Sequence, residues 1–307
     1  MRLLFSLLLA LTPYIANAGE FISFEANNQK VRAVLFFPEE KKDKYPLIIT
    51  QHGSSPTIRI GECSFFGGDR CAVTDSFSKK VIDEGTKSGF AVVAIDAFTE
   101  LGVSKSDKTQ FPPAWRYAIS LKNLLSNDGR IKPDSIFYTG WSYGGASVTG
   151  VLQLSMRQPW KAIAPVEAGC QFQKIPTKQP YPILFVMGAD SHYSPTPCLY
   201  LNYQLRELGS QSEAIVIPGA SHSFSTRGDR GSSNGLGPIS LSGCPNNFFI
   251  IDRQGIWRRR DGSVADAKTA WAECTGPGIG GGIEDKMDLA VSYVINFFKA
   301  VNSKPQF

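Results

Sequence analysis

Apolar strand patterns alternate with helical ones along most of this chain, and that alternation limits its fold more than any other feature. "EFISFEA" and "VRAVLFFP" read as an antiparallel opening pair, and "PLIITQHG" as a buried strand opened by Pro46 and closed by Gly53. A helix from about Asp75 to Ser88 leads to the strand "FAVVAIDA", and a helix from about Pro113 to Leu125 leads to "SIFYTG". After a helix beyond Ser142 come the strands "KAIAPVEA" and "PILFVMGAD", the helix "TPCLYLNYQLRELG" and the strand "EAIVIPGASH". The last helix runs from about Asp285 to Val301. Its Met287, Val291, Val294, Phe298 and Val301 recur at helical spacing and form an apolar face. Strands alternating with helices imply βαβ units with right-handed crossovers. The expected fold is α/β: a doubly wound, mostly parallel sheet with helices on both faces, in a single domain over residues 19–307.

One segment breaks the rhythm. From Ser223 to Glu284 the chain is rich in Gly, Ser and Asn, and within it "NFFIIDRQGIWRRRDGS" reads as a hairpin. This is an insertion before the last helix, not a second core. It leaves directly from His222 and holds Phe248, Phe249, Trp257 and Trp271. Two readings stay open for it: a lid or side wall of a site at that edge, or a brace on the outer face of the last helix. Its Arg258, Arg259 and Arg260 are expected on an exposed strand edge, where charge discourages edge pairing. The net charge of +5 is scattered, without the basic stripe that nucleic-acid binding needs.

Residues 1–18 read as a secretory signal peptide. Arg2 supplies the positive start, "LLFSLLLALTPYIA" the short apolar core, and Ala16-Asn17-Ala18 the cleavage site. The apolar run is shorter than the ~20 residues a membrane span needs, so no stable membrane anchor is expected. A secreted or periplasmic protein meets an oxidising compartment. The six cysteines therefore read as disulfides, and they have neither the C-x-x-C spacing nor the histidine spacing of a zinc site. The expected pairs are Cys63 with Cys71, Cys170 with Cys198, and Cys244 with Cys274.

Within this frame "GWSYGG" carries the chemistry. It is G-x-S-x-G, set between the strand "SIFYTG" and a helix, the context in which a serine is raised above the carboxyl edge of a sheet. A serine hydroxyl needs a base. Of the three histidines, His222 in "PGASHSF" follows a late strand and lies at the right edge; His52 is expected to shape a loop and His192 to line the mouth. The base needs a carboxylate. Asp190, ending "PILFVMGAD", gives the order Ser142, Asp190, His222; Glu167, ending "PVEA", is the rival. Asp96 is expected to tie down the loop "AFTELGVS". The oxyanion hole should use the backbone N–H of Tyr143, directly after the nucleophile, and that of Ser54, with Ser55 next.

The motifs "QHGSS", "VVAIDAFTELGVS", "GWSYGG", "LFVMGADS" and "GASHSF" resemble successive signature positions of the dienelactone hydrolase-like branch of the α/β-hydrolases. The resemblance runs from about Val31 to Phe224 and resumes in the last helix. It implies the α/β-hydrolase fold and a hydrolase of esters or lactones with no metal or organic cofactor. Dienelactone hydrolases carry Cys in the elbow where this chain has Ser142, and the Cys-containing insertion lies outside the family's minimal pattern.

The expected function is that of a secreted serine esterase acting through a Ser-His-Asp triad and an acyl-enzyme on a small-molecule or polymeric ester. Two other readings stand beside it: a polyester or peptide hydrolase with the same triad, and a non-catalytic surface-binding module that uses the arginine-rich insertion.

Overall fold

The computed structural model describes residues 19–63, 70–103, 111–156, 159–224, 237–240, 249–252, 254–274, 276–278 and 285–304. The chain opens with a hairpin of β1 (Glu20–Ala26) and β2 (Gln29–Phe36). Its turn residues Asn27 and Asn28 hold φ of 54° and 60°, a left-handed conformation that Asn tolerates and a two-residue hairpin favours. β3 (Tyr45–Gln51), buried along its whole length, is followed by a hairpin of β4 (Ile58–Glu62) and β5 (Arg70–Thr74). Then come α1 (Ser76–Lys87), β6 (Ala91–Asp96), α2 (Ala114–Leu125), β7 (Ile131–Trp141), α3 (Tyr143–Gly150) and β8 (Ala162–Val166). β9 (Phe172–Lys174), β10 (Ile183–Gly188), α4 (Thr196–Glu207) and β11 (Ser212–Ile217) complete the regular part. The insertion contributes β12 (Gly237–Ser240), β13 (Phe249–Ile251), β14 (Trp257–Arg258), β15 (Val264–Ala265), α5 (Ala267–Cys274) and β16 (Gly276–Gly278), before α6 (Met287–Asn302).

The main sheet has eight strands in the order β1-β2-β6-β3-β7-β8-β10-β11. From β6 to β11 all pairings are parallel, and β2 lies antiparallel beside β6. The parallel strands read as near-continuous apolar runs because both faces are covered. One face packs on α2, α3 and α4 through Tyr117, Leu121, Val148, Leu201 and Leu205. The other packs on α1 and α6 through Phe77, Val81, Val291, Val294 and Phe298. This is the expected doubly wound α/β sandwich, and it brings the ends of β3, β6, β7, β8, β10 and β11 to one edge.

β4, β5 and β9 have no counterpart in the alternation read from sequence. β9 matters most, because it receives the insertion. β13 pairs in parallel with β9, β14 pairs antiparallel with β13, and β15 with β14, giving a four-stranded sheet. The expected hairpin is therefore present, as the second and third strands of that sheet. Arg258 is not on an edge: β14 is an inner strand, and the Arg258 guanidinium pairs with Asp252 at 2.9 Å. Arg259 pairs with Glu273 at 2.5 Å.

Cys63 bonds to Cys71 across the β4–β5 hairpin, and Cys170 bonds to Cys198 at the start of α4. Cys274 is also disulfide-bonded, and its expected partner Cys244 lies outside the described residues, as do the leader 1–18 and Phe248. Among the described residues no helix is long and apolar enough to cross a membrane.

Candidate active site

β7 delivers Ser142 to the carboxyl edge of the sheet and α3 leaves from it at once. The turn is tight enough that only glycine fits beside it: a Cβ on Gly144 would lie 2.1 Å from the Gln51 carbonyl oxygen of β3. Ser142 itself sits at φ 57°, ψ −115°, a conformation costly for a residue with a side chain and held here by its surroundings. Its N–H donates to Val166 O at 3.0 Å, and its carbonyl accepts from Ala146 N at 2.8 Å.

His222 follows β11 and reaches back over that edge. Its Nε2 lies 2.9 Å from Ser142 Oγ, and its Nδ1 lies 2.8 Å from Glu167 Oε2. A carboxylate can only accept, so Nδ1 carries the hydrogen and Nε2 turns its lone pair to the serine hydroxyl. The ring is clamped. Trp141 lies against it at 5.2 Å between centroids, Tyr193 at 4.2 Å and His192 at 4.5 Å. The Trp141 indole N–H also donates to His222 O at 2.8 Å. His192, expected to line the mouth, is buried with its ring against that of His222.

The carboxylate that meets His222 is that of Glu167 and not that of Asp190, which sequence order favoured. Glu167 follows β8, is 2% exposed, and sits at φ 49°, so that its side chain turns inward. Its Oε1 accepts from the Gly188 backbone N–H, and its Oε2 accepts from the Ser191 hydroxyl at 2.5 Å as well as from His222. Asp190 is exposed, and its backbone N–H donates to Ala220 O at 2.9 Å. The physical reason is reach and direction. Both residues follow parallel strands, but β8 adjoins the nucleophile strand β7, and the longer Glu side chain spans the gap to a histidine that arrives from β11.

The loop after β3, where sequence places an oxyanion donor, is held by buried side chains. His52 Nδ1 lies 2.6 Å from Gly53 O, and Nε2 accepts from the Ala97 N–H at 3.1 Å, so the ring is held as the Nδ1–H tautomer. The Gly53 N–H donates to Asp75 Oδ2 at 2.5 Å, while Asp75 Oδ1 caps α1 through Ser78 N at 2.8 Å. Burial raises the Asp75 pKa, opposed by these backbone hydrogen bonds. Asp75 was missed as a site residue by sequence reasoning, which marked it only as a helix start. The loop leading to Ser54 is thus pinned from two sides. Tyr143 opens α3, where the first N–H groups have no partner within the helix. Its phenol, pushed well up by burial, donates to Pro112 O at 2.5 Å. Its ring packs with His52, Phe98 and Phe111. Asp96 Oδ1 accepts from Phe98 N and Thr99 N, tying down the loop as expected, and its Oδ2 accepts from Val73 N.

Among the described residues no group of three or more His, Cys, Asp or Glu is arranged to hold a metal ion. The arrangement suits proton transfer from a serine hydroxyl through an imidazole that a carboxylate orients.

No protein-family model matches the sequence, and neither does any curated protein. Solved structures do match. A Klebsiella pneumoniae protein described as a dienelactone hydrolase superposes with a TM-score of 0.51 at 14% identity, over 67% of this chain and 87% of that one. Thermogutta terrifontis esterase 2 gives 0.50 at 14% identity, over 67% and 85%. The acylaminoacyl peptidase of Pyrococcus horikoshii gives 0.52 at 14% identity over 68% of this chain, which spans only 38% of that longer protein. At such identities the likeness is one of architecture, and together with the sheet order and the strand–serine–helix turn it establishes that this chain has the α/β-hydrolase fold.

Proposed function

We propose that the protein is a serine hydrolase that cleaves carboxylic esters through an acyl-enzyme. The observation that carries this reading is the buried line Ser142 Oγ–His222 Nε2 at 2.9 Å and His222 Nδ1–Glu167 Oε2 at 2.8 Å. Ser142 attacks the ester carbonyl while His222 takes its proton. His222 then gives that proton to the departing alcohol, and a water repeats the cycle on the acyl-enzyme. Glu167 holds the tautomer and stabilises the imidazolium. The N–H groups of Tyr143 and Ser54 receive the oxyanion, the Ser54 loop being held by His52 and Asp75. The same machinery can act on amides, and one structural neighbour is an acylaminoacyl peptidase. Esters are the better reading because the Thermogutta and Klebsiella structures are described as an esterase and a dienelactone hydrolase. A surface-binding role fits less well, since nothing in it needs a buried, fully hydrogen-bonded base and acid.

We also place the mature protein outside the cytoplasm, as the leader-like residues 1–18 and the disulfides suggest. The functional test is a fluorophosphonate probe, followed by matched p-nitrophenyl esters and p-nitroanilides. Labelling of Ser142 with ester turnover is expected. An unlabelled, folded protein would overturn the proposal, and anilide turnover exceeding that of esters would move it to peptide bonds.

A further inference from the structure

Trp141 ends β7 and directly precedes Ser142. Its side chain, half-buried at the margin of the core, meets two loops that reach the carboxyl edge from opposite sides of β7. One is the loop after β11. The indole N–H donates to His222 O at 2.8 Å, and the indole lies 5.2 Å from the imidazole between centroids. The other is the loop after β3. A Cβ on Gly53 would lie 2.7 Å from Trp141 Cε3 and 2.8 Å from Cζ3, both on the six-membered ring.

The two contacts bear on different parts of the chemistry. The carbonyl held by the indole belongs to the base itself. Gly53 directly precedes Ser54, whose N–H is the second oxyanion donor of the proposed mechanism. Polar bonds hold Gly53 at both ends of the residue, its N–H by Asp75 Oδ2 and its carbonyl by His52 Nδ1. The indole meets it where a side chain would stand. Gly53 is not among the glycines at positive φ, so close approach, and not backbone conformation, is what requires glycine there. β3 and β11 are not neighbours in the sheet, so strand pairing does not fix one loop against the other. Trp141 touches both.

We propose that Trp141 is a positioning residue that sets the base and the oxyanion loop against each other. One rigid side chain thereby aligns His222 Nε2 and the Ser54 N–H on the same Ser142. This rests on the serine-hydrolase reading and adds to it a residue that touches neither the substrate nor the reacting atoms. Alignment of this kind matters because a misplacement of about 1 Å costs on the order of 10²-fold in rate.

The test is a double-mutant cycle read on two substrates, phenyl acetate and O-phenyl thioacetate, in which sulfur replaces the carbonyl oxygen. Sulfur is a weak hydrogen-bond acceptor. The thiono ester therefore draws little on the oxyanion hole, although it needs the base as much as the ester does. Damage to folding or to the base alone lowers both rates alike, whereas a displaced oxyanion loop lowers the ester more. Gly53→Ala, whose Cβ meets the indole, should lower kcat on the ester by ~10–100-fold with KM within about threefold. Trp141→Leu should lower it at least ~10-fold, and in both variants the ester-to-thiono-ester rate ratio should fall at least ~3-fold. In the Trp141→Leu background, Gly53→Ala should cost no more than about threefold further, because the ring it met is gone. Melting temperatures check folding. If Trp141→Leu does not fold, Trp141→Phe, which also gives up the N–H and the outer edge of the ring, takes its place. If Gly53→Ala does not fold, the rate ratio of the Trp141 variant decides alone. An additive cycle, or a rate ratio unchanged in the single variants, overturns the role of Trp141 while wild-type turnover and labelling of Ser142 keep the hydrolase. A wild-type protein that neither cleaves phenyl acetate nor labels at Ser142 overturns both.

Discussion

The sharpest test of the site is to remove the charge from Glu167 while keeping its shape. In Glu167→Gln the amide oxygen and nitrogen must share the places of Oε1 and Oε2. If the nitrogen takes the Oε1 place, it faces the Gly188 backbone N–H, donor against donor, in a position 2% exposed. An unmet buried donor costs about 1–3 kcal/mol, so this orientation loses. The oxygen therefore stays on Gly188, and the nitrogen turns to Ser191 and to His222 Nδ1. Nδ1 must then accept, which moves the ring hydrogen to Nε2, the atom that has to take the serine proton. A base locked in the wrong tautomer loses about 10⁴ in kcat, or ~5.4 kcal/mol of transition-state stabilisation. Asp190→Asn, at an exposed position, should stay within about twofold. The assay is kcat/KM on p-nitrophenyl acetate, with the rate of fluorophosphonate labelling alongside and the melting temperature as a check on folding. A crippled Asp190→Asn beside a mild Glu167→Gln would refute the reasoning and return the acid to the residue that sequence order favoured.

Other consequences follow from the same geometry. Ser142→Ala should abolish both ester turnover and covalent labelling with little change in melting temperature, since the hydroxyl it removes serves the reaction and not the fold. Gly144→Ala should lose activity and about 1–3 kcal/mol of stability, because its Cβ would lie 2.1 Å from the Gln51 carbonyl oxygen; an active, equally stable variant would contradict the tight turn. Lys122 is 1% exposed with its ammonium 5.7 Å from the Trp160 ring centre, and burial lowers its pKa. The folded state then holds the proton less well than the unfolded chain does, so the penalty is full at neutral pH and fades as pH climbs towards the free lysine value. Lys122→Met should accordingly raise the melting temperature, by about 2–4 °C for each 1 kcal/mol relieved, with the gain shrinking as pH nears the free lysine value. Reduction of the unfolded protein should add the mass of about six hydrogens, two for each of three disulfides; a smaller gain would mean free thiols.

How far the sequence could lead differs between the scaffold and the site. The parallel core was legible because buried strands such as "PLIITQ" and "AVVAID" are apolar over most of their length, and patterns of helical period lie between them. Ser142 was legible because its turn demands small residues at fixed offsets. The acid was not. Glu167 and Asp190 both follow parallel strands at the same edge and both precede His222, and chain order says nothing about which side chain turns inward. That choice depends on the left-handed φ of Glu167 and on the Gly188 N–H that meets it. Asp75 was half-legible: an acidic residue before "SFSKKV" marks a helix cap, but its second bond crosses to Gly53, a contact between segments that no local pattern encodes. β9, only three residues long, was invisible because its partner β13 lies across the whole α4–β11 unit.

That late strand pairing also bears on what the insertion is for. Its four-stranded sheet grows from β9, two residues after Cys170, and not from the outer face of α6. Its small core of Phe249, Ala270 and Cys274 includes Tyr193 at its margin, and the ring of Tyr193 lies 4.2 Å from that of His222. Hydrogen bonds run the same way. Gln171 donates through Nε2 to Tyr193 O, and Tyr193 N donates to Ser191 Oγ at 3.1 Å. The same Ser191 hydroxyl donates to Glu167. The described part of the insertion is therefore packed on Tyr193, which adjoins His222 and, through Ser191, Glu167. This favours the side wall over the brace on the last helix. Its stability is coupled to the alignment of Glu167 and His222, because loosening the small core frees Tyr193, and Tyr193 is continuous with the hydrogen bonds that orient the carboxylate. A long insertion in a compact domain is often functional, and here the way it could be so is mechanical: it holds Tyr193 against the imidazole, which Trp141 also packs against.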